Sequence, residues 1–102
     1  MPTMIVLVNL KEDVTSQEYE RWLEERYVPA ILDLDSIEEW HGYRVGGLPE
    51  AGGQPPYEYV VSVGINDLEQ LGKDMQREQV QLLLGELDQY AEVTQLMTER
   101  FV

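Results

Sequence analysis

Cysteine is absent from this sequence, which excludes disulfides, thiolate metal sites and cysteine nucleophiles together. A reducing cytoplasm is the expected setting. Basic residues are scarce, seven Lys and Arg against twenty Asp and Glu, for a formal net charge of -13 at pH 7. Such a field repels phosphate backbones and anionic membranes, so neither nucleic acid nor a membrane is an expected partner. The single histidine leaves too few soft ligands for a tight zinc site, and no metal is expected. No apolar run approaches the roughly 20 residues of a membrane span, and Met4 to Val8 lacks the basic flank of a targeting segment. The glycine pairs Gly46-Gly47 and Gly52-Gly53 lack the strand-to-helix setting and the lysine of a nucleotide loop. Ser62 has no base near it in sequence, so no hydrolase triad suggests itself. Chemistry, if any, is expected to proceed without a cofactor.

What is present is a chain of 102 residues, 43% hydrophobic and 9% aromatic. This suits one domain over residues 1–102, with a core modest enough that oligomerisation would help it. Met4 to Leu10 reads as a strand, and Lys11-Glu12-Asp13 as a turn. Thr15 or Ser16 caps a helix, with Glu18 completing a capping box. Pro29 should kink or restart that helix before it stops near Asp33 to Ser36. Ile37 to Val45 alternates as a second strand, with Ile37, Glu39, His41, Tyr43 and Val45 on one face and Glu38, Trp40, Gly42 and Arg44 on the other. Gly46 to Pro56 is a loop. Tyr57 to Ile65 is a third strand. Asn66 or Asp67 caps a helical region broken near Asp74 and weakened at its end by Gly85, and Ala91 to Val102 alternates as a fourth strand.

The order β-α-β-β-α-β is that of a ferredoxin-like α+β sandwich, with both helical regions on one face of an antiparallel sheet. Apolar residues on both faces of these strands leave the uncovered face in need of burial. A twofold homodimer with sheets packed face to face answers that need.

The first helix carries the sharpest candidate site. At about 100° per residue, Tyr19, Leu23, Arg26 and Ala30 share a sector expected to face the core, flanked by Trp22, Tyr27 and Leu34. An arginine there needs an acidic partner, backbone carbonyls or an anionic ligand. It either orients a ligand carboxylate or carbonyl or closes an internal salt bridge, for instance to Glu39 or Glu58. Tyr27 is a candidate hydrogen-bond donor. His41 is a candidate for proton exchange, the role histidine fills near neutrality. Tyr19, Trp22, Trp40, Tyr43 and Tyr59 are candidates to line a flat aromatic pocket, with the loop as lid.

The chain resembles the dimeric α+β barrel superfamily. Tyr19, Trp22 and Pro29 follow the order aromatic-x-x-Trp-x-x-x-x-His-x-Pro of its ethyl-tert-butyl-ether-degradation branch, with Tyr27 where that branch has histidine. The strand ending Asn9-Leu10-Lys11, the Glu18-Tyr19-x-x-Trp22 helix and Leu34-Asp35-Ser36-Ile37 resemble the RedY/HapK-like proteins of prodiginine pigment biosynthesis. The resemblance implies a small homodimer acting on, or binding, a small pyrrole-type aromatic ligand, without a cofactor if it is an enzyme. It equally accommodates a non-catalytic binding or chaperone module, or a cofactor-free monooxygenase.

Overall fold

Strand β1 (Thr3–Leu10) is central to a four-stranded antiparallel sheet of order β2-β3-β1-β4, with β2 at Ile37–Arg44, β3 at Tyr59–Ile65 and β4 at Ala91–Thr98. The computed structural model describes residues 2–48, 50 and 52–102. Two helical layers fill the connections that the sequence assigns to helices. The first runs as α1 (Ser16–Trp22), a π-helical turn (Leu23–Tyr27) and α2 (Val28–Leu32), and the second as α3 (Leu68–Met75) and α4 (Glu78–Tyr90). This is the expected ferredoxin-like α+β arrangement.

Alternation decides what each sheet face does. Val6 and Val8 of β1 and Tyr59, Val61 and Val63 of β3 are buried with Tyr19, Trp22, Leu23, Ile31, Val80 and Leu87 in one hydrophobic cluster, so both helical layers cover the same face. Their register partners one residue along, such as Ile5 beside Ser62 and Leu96, or Leu7 beside Val60, lie on the other face and remain partly exposed. Capping follows sequence. The Glu18 backbone N–H donates to Thr15 Oγ1 at 3.2 Å, and Glu69 and Gln70 donate to Asp67 Oδ1. The buried Asp74 carboxylate closes the layer below, accepting from the Ser36 backbone N–H at 3.1 Å and from Gln70 Nε2 at 3.0 Å.

Four expectations need correction. The first helix restarts at Val28 with Pro29 in the first turn of α2, as expected, but it does not keep uniform α-periodicity before that point. It widens one turn earlier, where the Val28 N–H reaches back to the Leu23 carbonyl. Pro29 has no N–H for the Glu25 carbonyl, and a π turn absorbs that missing bond without breaking the helix. Each residue of the wider turn advances the face by a smaller angle. Tyr27 and Ile31 therefore turn toward the core while Arg26 and Ala30 turn to solvent, against the sector that uniform α-periodicity predicts. In β2 a bulge between Ile37 and Glu39 interrupts the pairing with β3, so Ile37 is buried on the helix side and Glu39, His41 and Tyr43 lie on the open side. Strand β4 stops at Thr98 because its partner begins at Thr3; Glu99 to Val102 have no strand to pair with. Helix α4 runs through Gly85 to Tyr90. Its apolar positions Val80, Leu83 and Leu87 are buried and outweigh the glycine's helix penalty of about 1 kcal/mol. The loop from Gly46 to Pro56 carries positive φ at Gly52 and Gly53, conformations glycine adopts freely; Pro49 and Ala51, part of the expected loop, lie outside the described residues.

Candidate functional site

The aromatic residues of the first helix form a ladder. The Trp22 ring lies 4.9 Å from Tyr90 and 5.0 Å from Tyr27, and Tyr27 meets Trp40 edge-on at 6.5 Å. Tyr19, almost fully buried, packs 5.0 Å from Tyr59. Burial pushes the Tyr27 phenol up to about 12 and the Tyr19 phenol up as well, so both stay protonated near neutrality and neither is a base there. A small internal void lies against Tyr19, Leu23, Tyr27 and Trp40 on one side and Val6 and Val61 on the other.

Arg26 stands outside this ladder. Its Nε and Nη2 donate to the two carboxylate oxygens of Glu86, each at 2.5 Å, and its side chain is 55% exposed. Trp22 Nε1 donates to the same carboxylate at 2.9 Å. The guanidinium beside Glu86, with help from the indole, holds that carboxyl down at about 2. The internal salt bridge therefore exists, but to Glu86. Of the partners expected from sequence, Glu58 Oε1 accepts from the Leu10 N–H and Glu39 lies over Gly64.

A larger opening lies between α1, α2 and the edge strand β2. It is a cleft of about 780 Å³ whose apolar wall is Leu23, Val28, Pro29, Leu32 and the Trp40 ring. Gly42 makes room for that ring: a Cβ at this position would come within 2.9 Å of Trp40 Cζ3. Tyr43, 55% exposed, sits at the rim. The polar floor is a second arginine fork. Arg44 Nε and Nη2 donate to the two Glu20 oxygens at 2.8 and 2.5 Å, and Tyr59 Oη donates to Glu20 Oε2 at 2.7 Å. Arg44 first, then the Tyr59 hydroxyl, hold the Glu20 carboxyl down at about 2. Beyond this fork a second hollow of about 530 Å³ runs against Ser16, Gln54, Pro55 and Tyr57, bringing the described end of the loop to the site.

The sheet separates His41 from this cleft. His41 is on the open face, half exposed, with Nε2 3.4 Å from Glu39 Oε2. The structure thus brings Trp40, Tyr43 and Tyr59 to the cleft, sets Tyr19, Trp22 and Tyr27 behind its wall, and leaves Arg26 and His41 elsewhere. Glu20 and Arg44 were not singled out from sequence. Arg44 did share a strand face with Trp40 and Gly42, and Glu20 follows Tyr19; those were the available signals. Nothing in sequence pointed to Glu86, sixty positions from Arg26. Among the described residues no group of three or more His, Asp or Glu side chains is gathered as metal ligands would be, and no helix is long and apolar enough to cross a membrane.

The sequence profile of the REDY-like protein HapK matches residues 2–101. The chain belongs to the HapK family. The crystal structure of HapK from Hahella chejuensis superposes with a TM-score of 0.81 at 24% identity, over 99% of this chain and 93% of that one. An ethyl tert-butyl ether degradation family protein from Bacillus halodurans gives 0.76 at 14% identity, over 99% and 100%. A dimeric ferredoxin-like protein of unknown function from Thermobifida fusca gives 0.72 at 13%, over 97% and 90%. These likenesses establish the fold that HapK-family membership implies. No curated protein sequence matches the chain.

Proposed function

We propose that this HapK-family protein acts in the cytoplasm, in secondary-metabolite biosynthesis of the prodiginine type, as a homodimer that binds a flat pyrrole-type aromatic intermediate. The observation that carries the reading is the cleft. Its volume lies within the 300–1,000 Å³ usual for small-molecule sites, and an apolar, aromatic wall over a few convergent polar groups is their usual construction. A flat ring slides between Trp40 and the Leu23–Val28 wall, where offset stacking favours it, and its polar edge meets Glu20, Arg44 and Tyr59.

Any conversion in this cleft is cofactor-free and rests on positioning of the ligand. Tyr27 stays protonated and backs the wall. His41 reaches a ligand only from the open sheet face. That face supports the homodimer: Ile5, Leu7, Val60 and Leu96 leave it apolar and partly exposed, and the Thermobifida fusca relative is described as dimeric. A second copy of the sheet is the economical cover.

The test is a titration of the purified protein with a bipyrrole carbaldehyde, following Trp fluorescence and ligand absorbance together. Saturable quenching supports the site; saturation without any new absorbing product assigns the protein to binding without catalysis. Absence of saturable binding removes the reading. Binding without turnover is the favoured second reading, because Glu20, Arg44 and Tyr59 at the cleft floor are bonded to one another.

A further inference from the structure

The cleft wall is neutral, but its floor is not. Two acidic side chains, Glu20 and Glu24, and one cation, Arg44, line it among the described residues, and the adjoining hollow adds Glu58. Arg44 is already paired. Its Nε and Nη2 donate to Glu20, leaving only the remaining guanidinium N–H groups for another acceptor, and Glu24 adds a second negative field on the same guanidinium. Tyr59 spends its hydroxyl proton on Glu20 as well. A carboxylate-bearing ligand would have to share the guanidinium with Glu20 or displace it, and sit close to Glu24, in a protein of formal net charge -13. A cation or an N–H donor meets the opposite situation. The Glu20 side chain is 24% exposed and Arg44 78%, so the guanidinium has solvent to turn into when a ligand N–H takes its place on the carboxylate.

Resting on the cleft as the ligand site, we propose that it selects planar heteroaromatic ligands that are cationic or present N–H donors and discriminates against anionic ones, with Glu20 as the anchor and Arg44 as its displaceable counter-ion. The whole-protein field favours cations everywhere on the surface, but it falls off within about 8 Å at physiological salt. The floor acts at hydrogen-bond distance. Charge in the pocket thus sets specificity, while apolar burial supplies affinity.

The test uses two planar fluorescent probes at about 0.3 M salt, where the general field is largely screened. One is proflavine, a tricyclic cation with ring amines; the other is 1-anilinonaphthalene-8-sulfonate, an anion. Wild-type protein is expected to bind proflavine saturably and competitively with a bipyrrole carbaldehyde, and the sulfonate at least tenfold more weakly. Glu20→Gln should weaken proflavine about tenfold, in line with loss of a charged hydrogen bond, and strengthen the sulfonate by freeing Arg44. Arg44→Gln should do the reverse and tighten proflavine. Glu78→Gln, an exposed acid at the start of α4, removes the same formal charge away from the cleft and should change neither. Circular dichroism melts establish that each variant is folded. The sulfonate binding as tightly as proflavine, or Glu20→Gln behaving like Glu78→Gln, overturns the proposal. If the carbaldehyde binds while either of those results holds, charge selection alone has failed; if no planar probe binds, the cleft reading has failed with it.

Discussion

Two arginine–glutamate forks flank the first helical layer, and they are built alike. Arg26 donates to both oxygens of Glu86, and Trp22 adds its indole N–H; Arg44 donates to both oxygens of Glu20, and Tyr59 adds its hydroxyl. Each carboxyl is held down at about 2 by its guanidinium first and its aromatic donor second. The difference is what lies beside them. The Arg26 fork joins the first helical layer to α4 alongside the Trp22–Tyr90 stack. The Arg44 fork spans from α1 to an edge strand, with a cleft on one side and a hollow on the other. One pair staples two helices and the other floors the proposed ligand cleft, so what surrounds a charged pair distinguishes two forks that are alike in themselves.

The largest way to break the comparison is at Trp22. Trp22→Ala deletes the stack on Tyr90 and Tyr27 and the donor to Glu86, and should cost about 3–5 kcal/mol. At roughly 4–8 °C per kcal/mol for a domain near this size, thermal denaturation should show a fall well beyond ten degrees. Gly42→Ala attacks the other side. The added Cβ forces Trp40 to shift, so planar-ligand binding should weaken about tenfold with a smaller thermal loss. Arg26→Met should lower the melting temperature by only a few degrees, as exposed pairs contribute little, and leave ligand affinity unchanged; lost affinity at normal stability would return Arg26 to the site.

Acid sharpens the likeness between the forks. Both carboxyls are depressed in the folded state, so their contribution is fully present above the ordinary glutamate range and is lost as pH falls toward about 2. Carboxyl chemical shifts followed by NMR should show both titrating late. In Arg26→Met, Glu86 alone should return toward the ordinary value. The smallest expected effect is at Tyr27. With its phenol pushed up to about 12, Tyr27→Phe should leave the shape of any pH–rate profile between about pH 6 and 9 unaltered; a lost basic limb would show the phenol acting as a base.

The order of strands and helices was legible because each element carries its own periodicity and cap. Alternation in Tyr59 to Ile65 marks β3, and Thr15 and Asp67 mark helix starts with their side-chain oxygens. What escaped were departures from ideal periodicity. The π turn before Pro29 swung Arg26 out and Ile31 in, and the bulge after Ile37 placed Ile37 and His41 on opposite faces. Neither leaves a one-dimensional mark beyond a proline and a pair of glutamates. Trp40 and Tyr59 were named from sequence and do line the cleft; Glu20 and Arg44 were not named, since a salt bridge twenty-four positions apart depends on how helix and strand are laid together. The same holds for Glu86.

The measurement that bears most directly on the difference between the forks is a ¹H–¹⁵N correlation titration with a bipyrrole carbaldehyde, read at side chains as well as backbone. Perturbations concentrated at the Trp40 indole, the Arg44 Nε–H and the amides of Glu20, Gly42 and Tyr59, with Arg26 Nε–H and the Trp22 indole still, are the expected result. Shifts centred on Arg26, Glu86 and Trp22, with the Arg44 fork silent, would contradict it.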